Sequence, residues 1–234
     1  MRLDGAPAQA VAFARATGNQ GYLEKFRDTG RVAIAYAYYP IRANEPNVWF
    51  LVNGHPDMID VSDTRLLPPF HFAEYPTGAI FPGDREPSAA PIAVTFGDKS
   101  QEFVVDYTLR DGCHACAVLG LAYYAFHFDP AGKFKGATFS EFAARGASQY
   151  GKWPVTLNTS QTMTVWFPSQ SASAWRIATD IRNAPIRVDR VERRSGEQGF
   201  HITPLQPGDT ELAIQSVSPA RLVRLLISVA SASD

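Results

Sequence analysis

The 234-residue chain has only two cysteines, and both lie in one tetrapeptide, Cys113-His114-Ala115-Cys116. This scarcity excludes a disulfide-rich scaffold and a zinc site with four cysteine ligands. No run of about 18 apolar residues occurs, so no membrane-spanning helix is expected. The net charge of -1 gives no overall electrostatic attraction to nucleic acid or to an anionic membrane.

Common catalytic signatures are also missing. The sequence contains no GxSxG, HExxH, GxxxxGK[ST] or GxGxxG motif. Their absence argues against a lipase-type hydrolase, a zincin, a P-loop NTPase or a dinucleotide enzyme of the common kind. The first twenty residues lack the continuous apolar segment of a signal peptide. Two locations therefore stay open, the cytoplasm and an exported state whose signal has been removed.

What is present predicts a chain rich in strands. Large side chains alternate with alanine over residues 32–38, which predicts a strand with one large face and one small face. The first 28 residues have helical composition, and we expect this opening helix to cover the small face. Similar apolar runs predict further strands at 48–52, 103–109, 117–128, 134–139, 162–167, 186–191, 199–203, 211–215 and 222–229.

Turn-forming residues divide these runs. Seven prolines fall in residues 53–93, which we interpret as a long ordered connection with room for one short strand. The sequence Asp-Pro-Ala-Gly-Lys at 129–133 predicts a hairpin, because proline presets one turn position and glycine accepts positive φ at another. Residues 140–145 resemble one or two helical turns with Ser140 as N-cap.

These patterns predict an α+β protein of two domains. Residues 1–150 are expected to form an antiparallel β-sheet with a flanking helix and the CxxC loop. Residues 155–230 carry five or more short strands, the pattern of a small immunoglobulin-like β-sandwich. The boundary is placed near Trp153-Pro154.

The two cysteines allow four interpretations: a structural disulfide, a redox pair, half of a metal site, or two core thiols. A metal would need further ligands, and the spacing of the five histidines does not predict any. A redox pair would have His114 between the cysteines to stabilise a thiolate, yet the residues after Cys116 favour a strand over a helix. A disulfide that closes a short loop between strands is the leading interpretation, and it implies an oxidising compartment.

Other candidates lie outside the tetrapeptide. His55 and His71 fall in the proline-rich connection beside several carboxylates, where they could perform acid–base work or simply serve turns. Six arginines fall between residues 176 and 194, and alternation with apolar residues favours a solvated sheet face over an anion-binding surface.

The motifs TMTVWFPSQSASAW (162–175) and ITPLQPGDTELAI (202–214), followed by RLVRLLISVA, resemble the chagasin family. That family consists of immunoglobulin-like inhibitors that block papain-like cysteine proteases with three loops. The stretch that corresponds to the family's first inhibitory loop is SQSASAW, which differs from the family's pattern. The RPW-type loop that the family carries before its last strand is replaced here by QSVSPA. The segment DGCHACAVLGLAYYAFHFDPAGKFKG resembles exported bacterial proteins without an assigned activity.

Together these observations predict a non-catalytic, exported (periplasmic or secreted) binding or inhibitor-like protein without cofactor or metal. Its partner would be a protein, with a protease target implied by the chagasin resemblance. Binding residues are expected in the segment that ends at Trp175 and in the proline-rich connection, namely Ser169, Gln170, Ser171, Ser173, Trp175, His55 and His71. Two alternatives are a thiol–disulfide protein acting through Cys113 and Cys116, and an enzyme with a dispersed site near His55 and His71.

Overall fold

The computed structural model describes residues 21–40, 47–69, 75–82, 91–144, 152–167, 175–192, 198–216 and 221–231. Strands hold 66% of these residues. The described ranges contain no α-helix and one short 3₁₀ turn, Thr64–Leu66. They also contain no helix with the length and apolar character needed to cross a membrane.

The α+β prediction is therefore wrong, because the described chain is nearly all β. Residues 22–26 have helical composition but belong to the six-residue strand Tyr22–Arg27, which pairs with 33–38, since a segment this short gains more from pairing than from an isolated helical turn. The helical turns predicted from Ser140 are likewise part of a strand that continues to Ala144, where Leu121 is paired with Ala143. The rest of the predicted opening helix and its cover of the alanine face fall on residues 1–20, outside the described ranges.

The N-terminal sheet has four antiparallel strands in the order β1-β2-β3-β4. Its strands are β1 Tyr22–Arg27, β2 Ala33–Tyr38, β3 Asn47–Val52 and β4 Met58–Asp60. The alternation in β2 is confirmed: Ile34 and Tyr36 lie in the core shared with the next sheet, while Ala35 and Ala37 lie on the opposite face. Small residues on one face and large residues on the other thus set which side meets the neighbouring layer.

The central sheet has eight strands. Seven follow the order β13-β14-β11-β6-β7-β8-β9, and the eighth, β5, pairs with the C-terminal half of β7. The strands are β5 Gly78–Pro82, β6 Ile92–Phe96, β7 Gln101–Asp111, β8 Val118–Phe128, β9 Phe134–Ala144, β11 Met163–Phe167, β13 Ile186–Glu192 and β14 Gln198–Pro204. The hairpin predicted at 129–133 is confirmed between β8 and β9. The connection 53–93 contains β4, β5 and the start of β6, more strand than its prolines predicted.

The C-terminal sheet has four strands in the order β10-β16-β15-β12. Its strands are β10 Lys152–Asn158, β12 Trp175–Ile177, β15 Gly208–Ser216 and β16 Arg221–Ala230. β10 and β16 run parallel, and the other pairs are antiparallel.

The central sheet contributes to two hydrophobic cores because successive side chains of a strand point to opposite faces. Phe103 and Val105 pack with the N-terminal sheet, whereas Val104 packs with the C-terminal sheet. The result is a three-layered, sandwich-like arrangement of sheets. Strands from both sides of residue 150, such as β6 and β11, are neighbours in the central sheet. The division into domains 1–150 and 155–230 stays a prediction.

Two buried glutamines connect the layers. Gln101 on β7 accepts a hydrogen bond from the Val32 N–H at 2.7 Å and donates to the Thr29 carbonyl at 2.9 Å, both in the turn before β2. Gln198 on β14 accepts from the Trp175 N–H at 3.1 Å and donates to the Trp175 carbonyl at 2.7 Å. Each amide therefore supplies hydrogen bonds to backbone groups of a neighbouring layer, and the Thr29 carbonyl also accepts from the Thr95 hydroxyl at 3.2 Å.

The terminal strands of the three sheets are irregular. β4 and β12 have three residues each, and β10 contains Pro154. The pairing register shifts once between β1 and β2 and twice between β8 and β9. β13, the other end of the central sheet, carries the charged residues Arg187, Asp189 and Arg190.

Candidate functional site

The cysteine tetrapeptide lies at the tip of the β7–β8 hairpin. The Asp111 N–H donates to the Ala117 carbonyl and the Cys116 N–H donates to the Cys113 carbonyl, each at 3.0 Å. Gly112 permits the reversal through its φ of 80°. The two sulfur atoms lie 2.12 Å apart, as in a disulfide. This position matches the expected bridge between two strands, and the exported location that it implies stays a prediction.

The surroundings of the tetrapeptide bear on the redox alternative. Cys113 and His114 are exposed, and the His114 ring meets the Phe81 ring edge-on with centroids 5.4 Å apart. The residues after Cys116 enter β8 rather than a helix. The partial positive charge of a helix N-terminus, which lowers thiol pKa values in many redox motifs, therefore does not act on this pair. The thiol–disulfide function stays a prediction without that support.

Trp175 lies at the base of the predicted binding segment. Its side chain is buried and stacks on Phe167 with ring centroids 4.3 Å apart. Its backbone is held at both polar groups by Gln198. Trp175 thus packs in the core and fixes one end of the segment. The other predicted binding residues of this segment, Ser169, Gln170, Ser171 and Ser173, lie outside the described residues.

Several strand ends meet at this end of the two C-terminal layers. Phe167 and Glu192 both pair with Gln198, and Trp175 pairs with Ser216, which in turn pairs with Arg221. Three connections of the chain, 168–174, 193–197 and 217–220, consequently start and finish here. Connections between strands at one end of a β-sandwich commonly carry recognition in proteins.

His55 has a structural position. Its N–H donates to the Gly132 carbonyl at 2.7 Å and its carbonyl accepts from the Phe134 N–H at 2.9 Å, so its backbone extends the β8–β9 hairpin. Its ring is exposed. His71 lies outside the described residues.

Two carboxylates near His55 in the sequence accept hydrogen bonds from residues two positions further along the chain. Asp60 accepts from Ser62 at 2.6 Å, and the hydrogen bond from Arg65 holds the pKa of Asp63 below its usual value. The described ranges contain no group of three or more histidine, cysteine, aspartate or glutamate residues placed to hold a metal ion. The predicted acid–base site near His55 therefore gains no support from the groups that the structure describes.

The arginines between 176 and 194 are largely paired where they are described. Arg182 donates through Nε to Asp180 at 3.0 Å, and Arg187 donates to Asp189 at 3.0 Å. All four side chains are exposed, with Arg187 and Asp189 on edge strand β13. This arrangement is typical of a solvated surface, and exposed pairs of this kind contribute little to stability.

A polar series that the sequence did not predict crosses the central sheet. Glu102 on β7, His127 on β8 and Thr138 on β9 contact one another in that order. The alternating pattern of β8 predicts that His127 and Ala125 share a face of the sheet. It does not predict that Glu102 and Thr138 are the partners of His127, because those contacts depend on how distant strands pair. No local motif could have identified this series.

No protein-family model matches the chain, and no curated protein matches it.

Proposed function

We propose that the chain is an exported, inhibitor-like binding protein that contacts a protein partner through the segment Ser169–Trp175. The observation that carries this proposal is the fixed base of the segment. Phe167, before the segment, and Trp175, at its end, stack on each other, and Gln198 holds the Trp175 backbone.

A fixed base favours binding because fewer conformations are lost when the partner is engaged. The two anchoring residues are buried, so the segment is attached to a rigid core at both ends. This is the usual relation between a recognition loop and its scaffold.

The composition of the segment suggests the partner's chemistry. Ser169, Gln170, Ser171 and Ser173 are small or uncharged polar residues that can donate and accept hydrogen bonds. Such a segment suits a narrow, polar cleft lined by backbone groups. The resemblance to chagasin-type inhibitors names a papain-like cysteine protease as the target class. The disulfide at the β7–β8 tip supports an oxidising, extracytoplasmic location.

The test is inhibition of papain by the purified chain. We expect inhibition at concentrations on the order of 10 µM or below, and a loss of about tenfold or more in Ser171→Arg. The matched control is Ser160→Arg, which places the same charge on the exposed turn between β10 and β11, at the opposite end of those strands.

Thermal denaturation of both variants checks that the fold is intact. Absence of papain inhibition by the wild-type chain would overturn the inhibitor proposal. Equal inhibition by wild type and Ser171→Arg would overturn the assignment of contact to this segment.

A further inference from the structure

The three side chains that cross the central sheet form a continuous hydrogen-bonded series. A Glu102 carboxylate oxygen lies 3.1 Å from His127 Nδ1, and His127 Nε2 lies 2.7 Å from the Thr138 hydroxyl. The two imidazole nitrogens are therefore used on opposite sides, one by an acid and one by an alcohol. Both distances fall in the range required between an orienting acid, a base and a nucleophile.

The sheet register fixes this order. Glu102 and His127 are direct partners in the β7–β8 pair, and Thr138 is diagonal to His127 on β9, opposite Ala125. Because all three lie on neighbouring strands of one sheet, their spacing depends on backbone pairing rather than on loop conformation.

Exposure increases along the series. The side chains of Glu102 and His127 retain 23% and 29% of their accessible surface, while Thr138 is exposed. Two residues along each strand, Val104 and Ala125 are buried in the core with the C-terminal sheet. The series thus lies at the margin of that core, with its acid sheltered and its hydroxyl open to solvent.

The surface of the sheet next to His127 is open. Gly136 is the direct partner of His127 on β9, and a Cβ at this glycine would meet nothing within 4 Å. β9 is also the last strand in the described order of the central sheet, so alternate N–H groups of the strand point away from β8. A carbonyl oxygen of a substrate that lies beside this open edge of β9 can accept from these donors, which would stabilise negative charge on it.

We propose that Glu102, His127 and Thr138 form an acyl-transfer site that hydrolyses small carboxylic esters. Thr138 Oγ attacks the ester carbonyl carbon while its proton passes to His127 Nε2, and Glu102 orients the imidazole through Nδ1. The bond to the alcohol oxygen breaks, and the alcohol leaves with that proton. Water then adds to the acyl-threonine, giving the carboxylic acid and restoring the Thr138 hydroxyl. This site lies on β7, β8 and β9, is separated from β11 by β6, and does not depend on the proposed binding segment.

The same sheet offers a matched control. Thr164 on β11 lies 2.9 Å from His201 Nδ1 on β14, so a second threonine–histidine contact exists. Asp189 is the direct partner of His201, but its carboxylate accepts from Arg187. This second pair has the alcohol and the imidazole without a hydrogen-bonded carboxylate, and it should be inactive.

The test uses p-nitrophenyl acetate with the full chain. We expect p-nitrophenol release above the buffer rate, and an acetyl group on Thr138 by peptide mass spectrometry after an acid quench. Thr138→Ala should lose both signals, Thr138→Ser should retain them, and Glu102→Gln should reduce the rate by about tenfold or more. Thr164→Ala should match the wild type.

Thermal denaturation identifies any variant that fails to fold, and Thr138→Ser keeps the test decisive if Thr138→Ala is unstable. No release by the wild type, undiminished release by Thr138→Ala, or acetylation only at other residues would each overturn the proposal.

Discussion

Two buried tyrosines provide a matched pair for testing how polar groups are satisfied in this core. Tyr107 and Tyr124 lie on neighbouring strands, are fully buried, and meet edge-on with ring centroids 5.4 Å apart. The Tyr107 hydroxyl donates to the Val61 carbonyl at 2.6 Å. The Tyr124 hydroxyl has no hydrogen-bond partner among the described residues. The same chemical change, tyrosine to phenylalanine, should therefore have opposite effects at the two positions.

The expected magnitudes follow from this difference. Tyr107→Phe removes a hydrogen bond and leaves the Val61 carbonyl without this partner, so the free energy of unfolding should fall by about 1–3 kcal/mol. Tyr124→Phe removes a buried hydroxyl that makes no hydrogen bond, so the free energy of unfolding should rise by about 1 kcal/mol. The loss of volume is identical in both variants and cancels in the comparison.

Alkaline pH sharpens the contrast. Burial raises the pKa of Tyr124 to about 12, whereas a tyrosine in the unfolded chain titrates near its ordinary value of about 10. Above that value the unfolded chain releases a proton that the folded chain retains, so stability falls as pH rises from about 10 to about 12. Tyr124→Phe lacks this loss, and its advantage over the wild type should grow across that range.

Urea denaturation measures both effects, with m-values compared to confirm that the unfolding transition is unchanged. The two variants should differ by about 2–4 kcal/mol at neutral pH. A Tyr124→Phe variant that is less stable than the wild type by about 1 kcal/mol or more would refute the reasoning, because the hydroxyl would then be making a favourable contact. An advantage that does not change between neutral and alkaline pH would refute the titration argument.

Two further stability predictions concern the connections between layers and the hairpin tip. Gln198→Ala should lower the free energy of unfolding, measured in urea, by about 2–4 kcal/mol, because it removes the partners of both backbone groups of Trp175. The control Gln215→Ala, on the outer face of its sheet, should cost less than about 1 kcal/mol. Equal losses in the two variants would contradict the assigned role of Gln198. Replacing Cys113 and Cys116 with serine should cost about 2 kcal/mol or less in thermal denaturation, because the closed loop is very short; loss of the folded state would contradict this.

Much of the strand pattern could be predicted from the sequence. The runs at 32–38, 48–52 and 162–167 were located to within about two residues, because alternation records directly which side chains face a core. The errors have one physical origin. Residues 22–26 and 140–144 have locally helical composition, but pairing with β2 and β8 decides their conformation, and that pairing is not local.

The candidate sites show the same limit. The hairpin of Cys113 and Cys116 follows from adjacent residues, so its position between two strands could be predicted. The acyl-transfer series depends on the pairing of residue 102 with residue 127, and on the pairing of β8 with β9 between two shifts in register. Residue types alone cannot supply these registers, since each strand could pair in several ways.

The irregular terminal strands have a consequence for self-association. An open strand edge is a template on which another chain can add a strand and begin aggregation. Here the ends of the sheets are short at β4 and β12, interrupted by Pro154 in β10, irregular in β1 and β9, and charged in β13. These features disfavour edge-to-edge pairing between copies of a chain that has two-thirds of its described residues in strands, and Pro154 contributes by removing one N–H donor from β10.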